Sequence, residues 1–319
     1  KKGRTWDESY TQAWHIIAEK NPLPAVCGRV CPHPCEDNCN RTKKDGAVAI
    51  NNVERFLGDY GIEKDLKPKK LTEDTRPEKI AVVGAGPAGL SAAYHLALRG
   101  YPVTVYEAFK KGGGMLRYGI PAYRLPRDVL DKEIQRIADL GVEFKYETII
   151  GRDIPYDKLS DECKAVFVGI GAHKGRELGV EGEDAENVYT GVRFLNMVNS
   201  GNPVEVGDKV IVIGGGDTAV DAARISKRLG AKEVTILYRR TREEMPAIEE
   251  EIDETLEEGI KVEYLVAPAE VIRDGNRATG LKCIRMELGE PDESGRRRPV
   301  PIEDSDFVVE ATMIIPAIS

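Results

Sequence analysis

Two glycine-rich segments have the residue types and the spacing that hold a phosphate group. Residues 84–89 read GAGPAG and residues 214–219 read GGGDTA, the same GxGxxG pattern with an alanine that its third position accepts. The first glycine permits a tight turn, the second lets the backbone approach a pyrophosphate, and the third lets a helix pack closely on a strand. The sequence therefore predicts two dinucleotide-binding sites.

The residues after each predicted second strand distinguish the two sites. Glu107 lies about 20 residues beyond the first loop, where a carboxylate accepts hydrogen bonds from ribose hydroxyls, which suits a nucleotide without a 2′-phosphate. Arg239 and Arg240 stand at the corresponding place in the second site, where guanidinium groups bind a 2′-phosphate through charge-assisted hydrogen bonds. We therefore predict FAD in the first site and NADPH in the second. The alternative is that these arginines form a surface patch or pair with Glu243 and Glu244.

Four of the six cysteines recur at every fourth residue. They are Cys27, Cys31, Cys35 and Cys39. Pro32 and Pro34 exclude a regular helix, so the segment must loop, and a loop can turn four thiolates toward an iron–sulfur cluster or a zinc ion. Zinc stays open on spacing alone, but a redox cluster has a use beside a flavin. Cys163 and Cys283 form no dithiol pair, which argues against a flavin disulfide reductase.

Strand–helix–strand patterns position both glycine loops. The first runs KIAVVGAG, PAGLSAAYHLALRG and YPVTVYEA from Lys79, and the second begins with KVIVIGGG at Lys209. The copies lie too far apart for a short-period repeat, so they indicate a duplicated domain type. A helix is predicted over residues 5–20 and another in AVAINNVERFLGDYGI, and residues 63–78 are predicted to be a linker. The predicted fold class is α/β, with two Rossmann-like dinucleotide-binding domains preceded by a small α-helical iron–sulfur domain.

Composition and charge exclude some classes of function. The 319 residues are 41% hydrophobic and 31% charged, with a net charge of −8, which disfavours nucleic acid as a general partner. No apolar run approaches the roughly 20 residues of a membrane span. The first residues lack a secretory signal, so we expect a cytoplasmic protein.

Six segments carry a family resemblance. They are NPLPAVCGRVCPHPCEDNCNR, VAINNVERFLGDY, VVGAGPAGLSAAYHLALRGYPVTVYEA, GGGMLRYGIPAYRLPRDVL, VIVIGGGDTAVDAAR and YRRTREEMPA. From about residue 10 to its end the chain resembles the small subunit of NADPH-dependent glutamate synthase. Relatives of that subunit include the N-terminal part of dihydropyrimidine dehydrogenase and the large subunit of NADH-dependent ferredoxin:NADP oxidoreductase.

The resemblance implies a domain organisation and an activity. It implies a helical 4Fe-4S-binding domain in residues 1–75, the first part of an FAD-binding domain in 76–185, an NADPH-binding domain in 186–311, and the start of a return to the FAD domain in 312–319. The implied enzyme is an oxidoreductase that passes electrons between NADPH, FAD and a 4Fe-4S cluster. Its implied partner is a redox protein or a large catalytic subunit.

The resemblance also implies the residues of each site. Those implied for FAD are Gly84, Gly86, Pro87, Ala88, Gly89, Glu107, Gly114, Met115, Leu116 and Arg117. Those implied for NADPH are Gly214, Gly216, Asp217, Thr218, Arg239 and Arg240. Iron is implied at Cys31, Cys35 and Cys39, with either Cys27 or Glu54 completing the cluster. No residue is predicted to act as a general base or nucleophile, because the cofactors supply the chemistry.

The sequence departs from the family pattern at both ends. The further cysteine group of relatives that bind two clusters is not present, and neither is the final FAD-binding segment. We therefore expect a fragment, or a subunit that a partner completes. Two rival interpretations stay open, a non-enzymatic assembly or docking subunit and a flavin reductase that works alone.

Overall fold

The computed structural model describes residues 3–293 and 295–318. Its helices are α1 (Trp6–Ala18), α2 (Pro24–Val30), α3 (Pro34–Asp37), α4 (Ile50–Glu63), α5 (Pro87–Ala97), α6 (Met115–Tyr118), α7 (Arg127–Ala138), α8 (Tyr156–Glu162), α9 (Gly191–Asn199), α10 (Asp217–Arg228) and α11 (Glu249–Glu257). Its strands are β1 (Ile80–Val83), β2 (Val103–Tyr106), β3 (Glu143–Lys145), β4 (Ala165–Val168), β5 (Lys209–Ile213), β6 (Glu233–Tyr238), β7 (Lys261–Tyr264), β8 (Val266–Asp274), β9 (Arg277–Pro291), β10 (Arg297–Pro301), β11 (Phe307–Glu310) and β12 (Met313–Pro316).

The chain divides into two compact units. The first unit comprises Lys1–Arg117 and Ala122–Gly171, and the second unit comprises Tyr118–Pro121 and Ala172–Ser319. This division is coarser than the four segments predicted from the sequence, whose boundaries at residues 75, 185 and 311 stay predictions. Among the described residues, none of the helices has both the length and the apolar character that crossing a bilayer requires.

The N-terminal part of the first unit is helical, as predicted. α1 begins after Thr5, whose hydroxyl accepts a hydrogen bond from the Glu8 N–H while the Glu8 carboxylate accepts one from the Thr5 N–H. Trp14 of α1 is fully buried. α2 crosses α4 so closely that a Cβ on Gly58 would lie 2.3 Å from the Ala25 nitrogen. The helix that carries the first cysteine is therefore held tightly against α4.

The cysteine segment folds as short helical turns. α2 ends at Val30, and α3 is a single turn that starts at Pro34. Between them His33 adopts a left-handed conformation with φ of 41°, which breaks the helix direction. The prediction that prolines prevent one continuous helix is confirmed.

The rest of the first unit contains a four-stranded parallel sheet, with the strand order β3-β2-β1-β4. Val83 is aligned with Tyr106 on one side and with Val168 on the other. The carboxyl ends of three strands therefore meet at one edge, which is where doubly wound sheets bind ligands. α5 follows β1 and leads to β2, so the first predicted strand–helix–strand pattern is confirmed.

The second unit is built on another parallel sheet, with the order β12-β5-β6-β7. Along β5 the side chains alternate between two cores, because successive residues of a strand face opposite ways. Val210 and Val212 pack with residues of α9 and α10, whereas Ile211 and Ile213 pack against the antiparallel sheet of β8 to β11. Burial on both faces explains the unbroken apolar run VIVI that follows Lys209. The predicted α/β fold class is confirmed.

Candidate functional site

The first glycine loop joins β1 to α5. Gly84 has φ of +100°, and a Cβ there would lie 2.4 Å from the Gly169 carbonyl oxygen. A Cβ on Gly89 would lie 1.8 Å from the Gly84 oxygen, so a side chain at either position clashes with backbone. At Gly86, which immediately precedes α5, the nearest atom to such a carbon outside the adjoining residues is the Gly114 Cα at 3.9 Å. The open space at this helix N-terminus, next to Pro87 and Ala88, is where a pyrophosphate would bind.

Glu107 ties the two strand ends of the first site together. It is 5% exposed, and its Oε2 accepts a hydrogen bond of 2.7 Å from the Ala85 N–H while its Oε1 accepts one of 2.9 Å from the Phe109 N–H. A carboxylate oxygen has two lone pairs, so each oxygen keeps capacity for a ribose hydroxyl. The carboxylate thus lies at the predicted place and is already oriented by backbone.

The segment Gly114 to Arg117 borders this loop. A Cβ on Gly114 would lie 2.8 Å from the Gly86 Cα, so the two backbones nearly touch. Met115, Leu116 and Arg117 belong to α6. Arg117 is 6% exposed, donates a hydrogen bond of 2.6 Å to the Gly112 carbonyl and pairs with Asp131. It therefore supports the glycine-rich turn beside the site.

The second glycine loop joins β5 to α10 in the second unit. A Cβ on Gly214 would lie 2.3 Å from the Ala317 carbonyl oxygen, whereas a Cβ on Gly216 would face open space, with the Pro246 Cγ at 3.8 Å. Asp217 and Thr218 are the first two residues of α10. The Asp217 carboxylate accepts a hydrogen bond of 3.1 Å from the Ile248 N–H. This contact fixes the loop against the chain that follows β6.

A cavity of about 330 Å³ opens at this loop. Gly214, Gly215 and Gly216 line it together with four arginines, Arg176, Arg239, Arg240 and Arg296. Four arginines around a cavity at the carboxyl ends of β5 and β6 suit the binding of a phosphorylated anion. The sequence prediction missed Arg176, a lone arginine with no motif. It also missed Arg296, whose signal is the run RRR at residues 296–298.

The predicted arginines of this site differ in environment. Arg239 is exposed, whereas Arg240 is 4% exposed and forms an ion pair of 2.7 Å with Asp292. The nearby Arg242 pairs with Asp253 and, at 4.0 Å, with Glu249. The hydrogen bond to Asp253 raises the pKa of Arg242.

Cys27 and Glu54 meet at a shared neighbour. Asn21 donates a hydrogen bond of 2.7 Å from Nδ2 to Glu54 Oε1, and its Oδ1 accepts one of 3.7 Å from the Cys27 thiol. Burial raises the pKa of Cys27 to about 11, and the charges of Glu54 and Cys31 act in the same direction. Two candidate ligands, one on α2 and one on α4, are therefore neighbours.

The other cysteine sulfurs accept backbone hydrogen bonds or face solvent. The Cys31 sulfur accepts the His33 N–H at 3.4 Å, and Cys35 is exposed. Backbone N–H groups, first that of Val48 and then that of Arg41, lower the pKa of Cys39. Thiolates with N–H donors fit an iron–sulfur cluster, whose potential such bonds tune. Within the described residues, however, no three His, Cys, Asp or Glu side chains converge on one metal position.

A buried ion pair supports the helix that carries Cys27. Glu133 of α7 is fully buried. Its carboxylate accepts a hydrogen bond of 3.2 Å from the Val26 N–H and one of 2.9 Å from Arg136. The Arg136 guanidinium also lies 5.0 Å from the centre of a Trp14 ring. Burial raises the pKa of Glu133 to about 7, although Arg136 and the N–H groups of Val26 and Ala25 lower it.

Glu133→Gln should weaken the pH dependence of stability. A carboxyl whose pKa is higher in the folded state stabilises the fold fully below its unfolded pKa and loses that contribution as pH rises through the folded value. The contribution of Glu133 to the free energy of unfolding should therefore fall between pH 4.5 and about 7. Both tryptophans, Trp6 and Trp14, lie in the first unit, so urea unfolding followed by tryptophan fluorescence measures this unit.

Glu73→Gln, in an exposed stretch, is the matched control for loss of a carboxyl. It should leave the pH profile unchanged. A free-energy difference between wild type and Glu133→Gln that is constant over this pH range would show that Glu133 does not titrate there.

Two family models match separate parts of the chain. The family model described as pyridine nucleotide-disulphide oxidoreductase matches residues 78–317. The model described as dihydropyrimidine dehydrogenase domain II, 4Fe-4S cluster, matches residues 4–66. These matches confirm the predicted cofactors, FAD, NADP and a 4Fe-4S cluster.

Several curated proteins are similar along nearly the whole chain. NADPH-Fe(3+) oxidoreductase subunit beta of Geobacter sulfurreducens is 47% identical over 315 residues, which are 97% of this chain and 47% of that protein. NADP(+)-dependent formate dehydrogenase subunit beta of Moorella thermoacetica is 42% identical, with coverage of 98% and 48%. The glutamate synthase [NADPH] small chain of Escherichia coli is 38% identical, with coverage of 96% and 68%. The chain thus spans about half the length of the first curated relatives it matches.

Solved structures agree on the fold. FprA of Mycobacterium tuberculosis in complex with NADPH has a TM-score of 0.67 at 20% identity, with coverage of 76% of this chain and 70% of that one. The predicted family is confirmed by the matched models and by the Escherichia coli relative. The chain belongs to the pyridine nucleotide-disulphide oxidoreductase family and, within it, to the glutamate synthase small-chain group with an N-terminal 4Fe-4S domain.

Proposed function

We propose that this chain passes electrons between NADPH, FAD and a 4Fe-4S cluster, to or from a partner protein. The observation that carries the proposal is the contrast between its two glycine loops. One loop is tied to Glu107 through the Ala85 N–H, while the other opens into a cavity lined by four arginines. A carboxylate suits a ribose without a 2′-phosphate and guanidinium groups suit a phosphate, so the two loops select different dinucleotides.

The names of the relatives support the nucleotide and the partner. The Geobacter sulfurreducens and Escherichia coli proteins are named for NADPH, and each is named as a subunit or a chain of a larger enzyme. The partner proposed for this chain is accordingly a redox protein or a large catalytic subunit.

The residues of the chain bind and orient, while the cofactors supply the redox chemistry. FAD, when bound, accepts a hydride and releases electrons singly, and a 4Fe-4S cluster carries single electrons. The N–H groups at the start of α5 and α10 would bind the two pyrophosphates. Arg239 would bind the 2′-phosphate, and Cys31, Cys35 and Cys39 would bind iron together with Cys27 or Glu54.

The anaerobic visible spectrum of the purified protein tests this function. We expect flavin bands on a broad iron–sulfur shoulder, bleached much faster by NADPH than by NADH. Protein without flavin that ignores both nucleotides would instead support an assembly or docking subunit. Rapid reduction of dyes by NADPH with no iron present would support a flavin reductase that works alone.

A further inference from the structure

The turn between β9 and β10 delivers an arginine to the nucleotide cavity of the second unit. Arg239 lies directly after β6, where a dinucleotide-binding domain carries its ligand for a 2′-phosphate, and it lines the cavity. Arg296 lies directly before β10 and lines the same cavity. Arginines from two elements far apart in the chain therefore line this cavity.

A buried arginine holds this turn in place. Arg240 donates a hydrogen bond of 2.7 Å to Asp292 and another of 2.7 Å from Nε to the Arg297 carbonyl oxygen. Arg240 thereby binds the chain before and after Arg296. The turn is also closed on itself, because the Asp292 N–H donates to the Arg296 carbonyl oxygen at 2.7 Å and the Gly295 N–H donates to the Asp292 carbonyl oxygen at 2.9 Å.

The other side of the hairpin is held as well. Arg297 donates a hydrogen bond of 2.9 Å to the Leu288 carbonyl oxygen of β9, and Arg297 is aligned with Pro291 across the two strands. The position of Arg296 relative to the end of β6 thus depends on the pair formed by Arg240 and Asp292.

We propose that Arg296 binds the 2′-phosphate of NADPH beside Arg239, and that Asp292 is a positioning residue that acts through Arg240. The inference rests on the proposed function, because it needs a 2′-phosphorylated nucleotide in this cavity. It adds a selectivity residue that lies on the antiparallel hairpin, outside the dinucleotide-binding fingerprint.

Binding of adenosine 2′,5′-bisphosphate and of adenosine 5′-monophosphate to the whole protein, measured by calorimetry, tests Arg296 without turnover. Arg296→Gln should weaken binding of the bisphosphate by about tenfold to a hundredfold, the effect of losing a hydrogen bond between charged groups, and leave the monophosphate unchanged. Arg298→Gln is the matched control, since Arg298 is exposed on the same hairpin and does not line the cavity. It should change neither affinity.

The outcomes separate this inference from the proposed function. A wild-type protein that binds both nucleotides equally would overturn the proposed function and the inference together. A wild type that prefers the bisphosphate, with Arg296→Gln behaving like Arg298→Gln, would overturn the inference alone. Equal weakening of both nucleotides by Arg296→Gln would also overturn it, because the residue would then bind a phosphate that the two share.

Asp292→Asn tests the positioning role by the sign of its effect. Removal of a negative charge near an anion site should by itself strengthen binding of the bisphosphate. Loss of the contact that holds the turn should weaken it, and we expect a weakening of about tenfold. Stronger binding by Asp292→Asn would overturn the positioning role.

Discussion

Gly86→Ala is expected to fold and to lose FAD. Gly86 has φ of −78° and ψ of −177°, which alanine adopts without strain, and a new Cβ would lie 3.9 Å from the Gly114 Cα. The added methyl group would occupy the place where the backbone must approach a pyrophosphate. Since the N–H groups of α5 would no longer reach the phosphates, the affinity for FAD should fall by roughly a hundredfold.

Gly216→Ala is the matched variant at the other loop. The φ of −98° and ψ of 176° at Gly216 also suit alanine, and a new Cβ would lie 3.8 Å from the Pro246 Cγ. It should keep FAD and lose NADPH. Flavin absorbance after desalting measures the first effect, and calorimetry with NADPH measures the second. Loss of flavin from Gly216→Ala, or full retention of flavin by Gly86→Ala, would contradict the assignment of the two loops.

Gly89→Ala differs from both variants because its failure would be structural. A Cβ there would lie 1.8 Å from the Gly84 carbonyl oxygen, so α5 could not stay packed on β1. Loss of FAD by Gly89→Ala would therefore accompany loss of the folded first unit. Comparison with Gly86→Ala separates a missing ligand contact from a broken fold.

The sequence was sufficient for features that depend on local spacing. The strands around Gly84 and Gly214 were predictable because buried parallel strands read as apolar runs and the glycines end them. The broken helices of the cysteine segment were predictable because proline removes a helix hydrogen bond. Such features need no knowledge of what packs against them.

Contacts between side chains that are distant in the chain could not be predicted from the sequence. Arg239 and Arg240 are adjacent in the fingerprint, yet one is exposed and the other is buried against Asp292, a residue of the β9–β10 turn. Nothing in the local pattern places Asp292 there. Glu133 is likewise a charged residue type that is fully buried, at helical spacing from Leu130 and Ile137, and there it accepts the Val26 N–H of α2. Partners distant in the chain decided both environments.

Cys39→Ser is expected to remove iron and leave FAD in place. Backbone N–H groups lower the pKa of the Cys39 thiol, and serine replaces sulfur with a poorer ligand for iron. Loss of a ligand should lower the affinity for iron by more than the roughly 10- to 100-fold that results from changing a residue that contacts a ligand. Colorimetric iron and flavin absorbance on the same sample measure the two cofactors separately.

Cys163→Ser is the control for loss of a thiol, because Cys163 lies after α8 and outside the cysteine segment. It should keep both iron and flavin. Wild-type iron content in Cys39→Ser would contradict the ligand assignment, and zinc in place of iron in the wild type would contradict the 4Fe-4S cluster.

The last cluster ligand can be resolved by the same measurement. Asn21 binds both Cys27 and Glu54, so the two candidate ligands are neighbours, and a cluster held by Cys31, Cys35 and Cys39 would take its remaining ligand from one of them. Cys27→Ser and Glu54→Ala remove one candidate each while sparing Asn21. Because one position needs one ligand, we expect only one of these variants to lose iron as severely as Cys39→Ser. Full iron in both would mean that the ligand comes from neither residue.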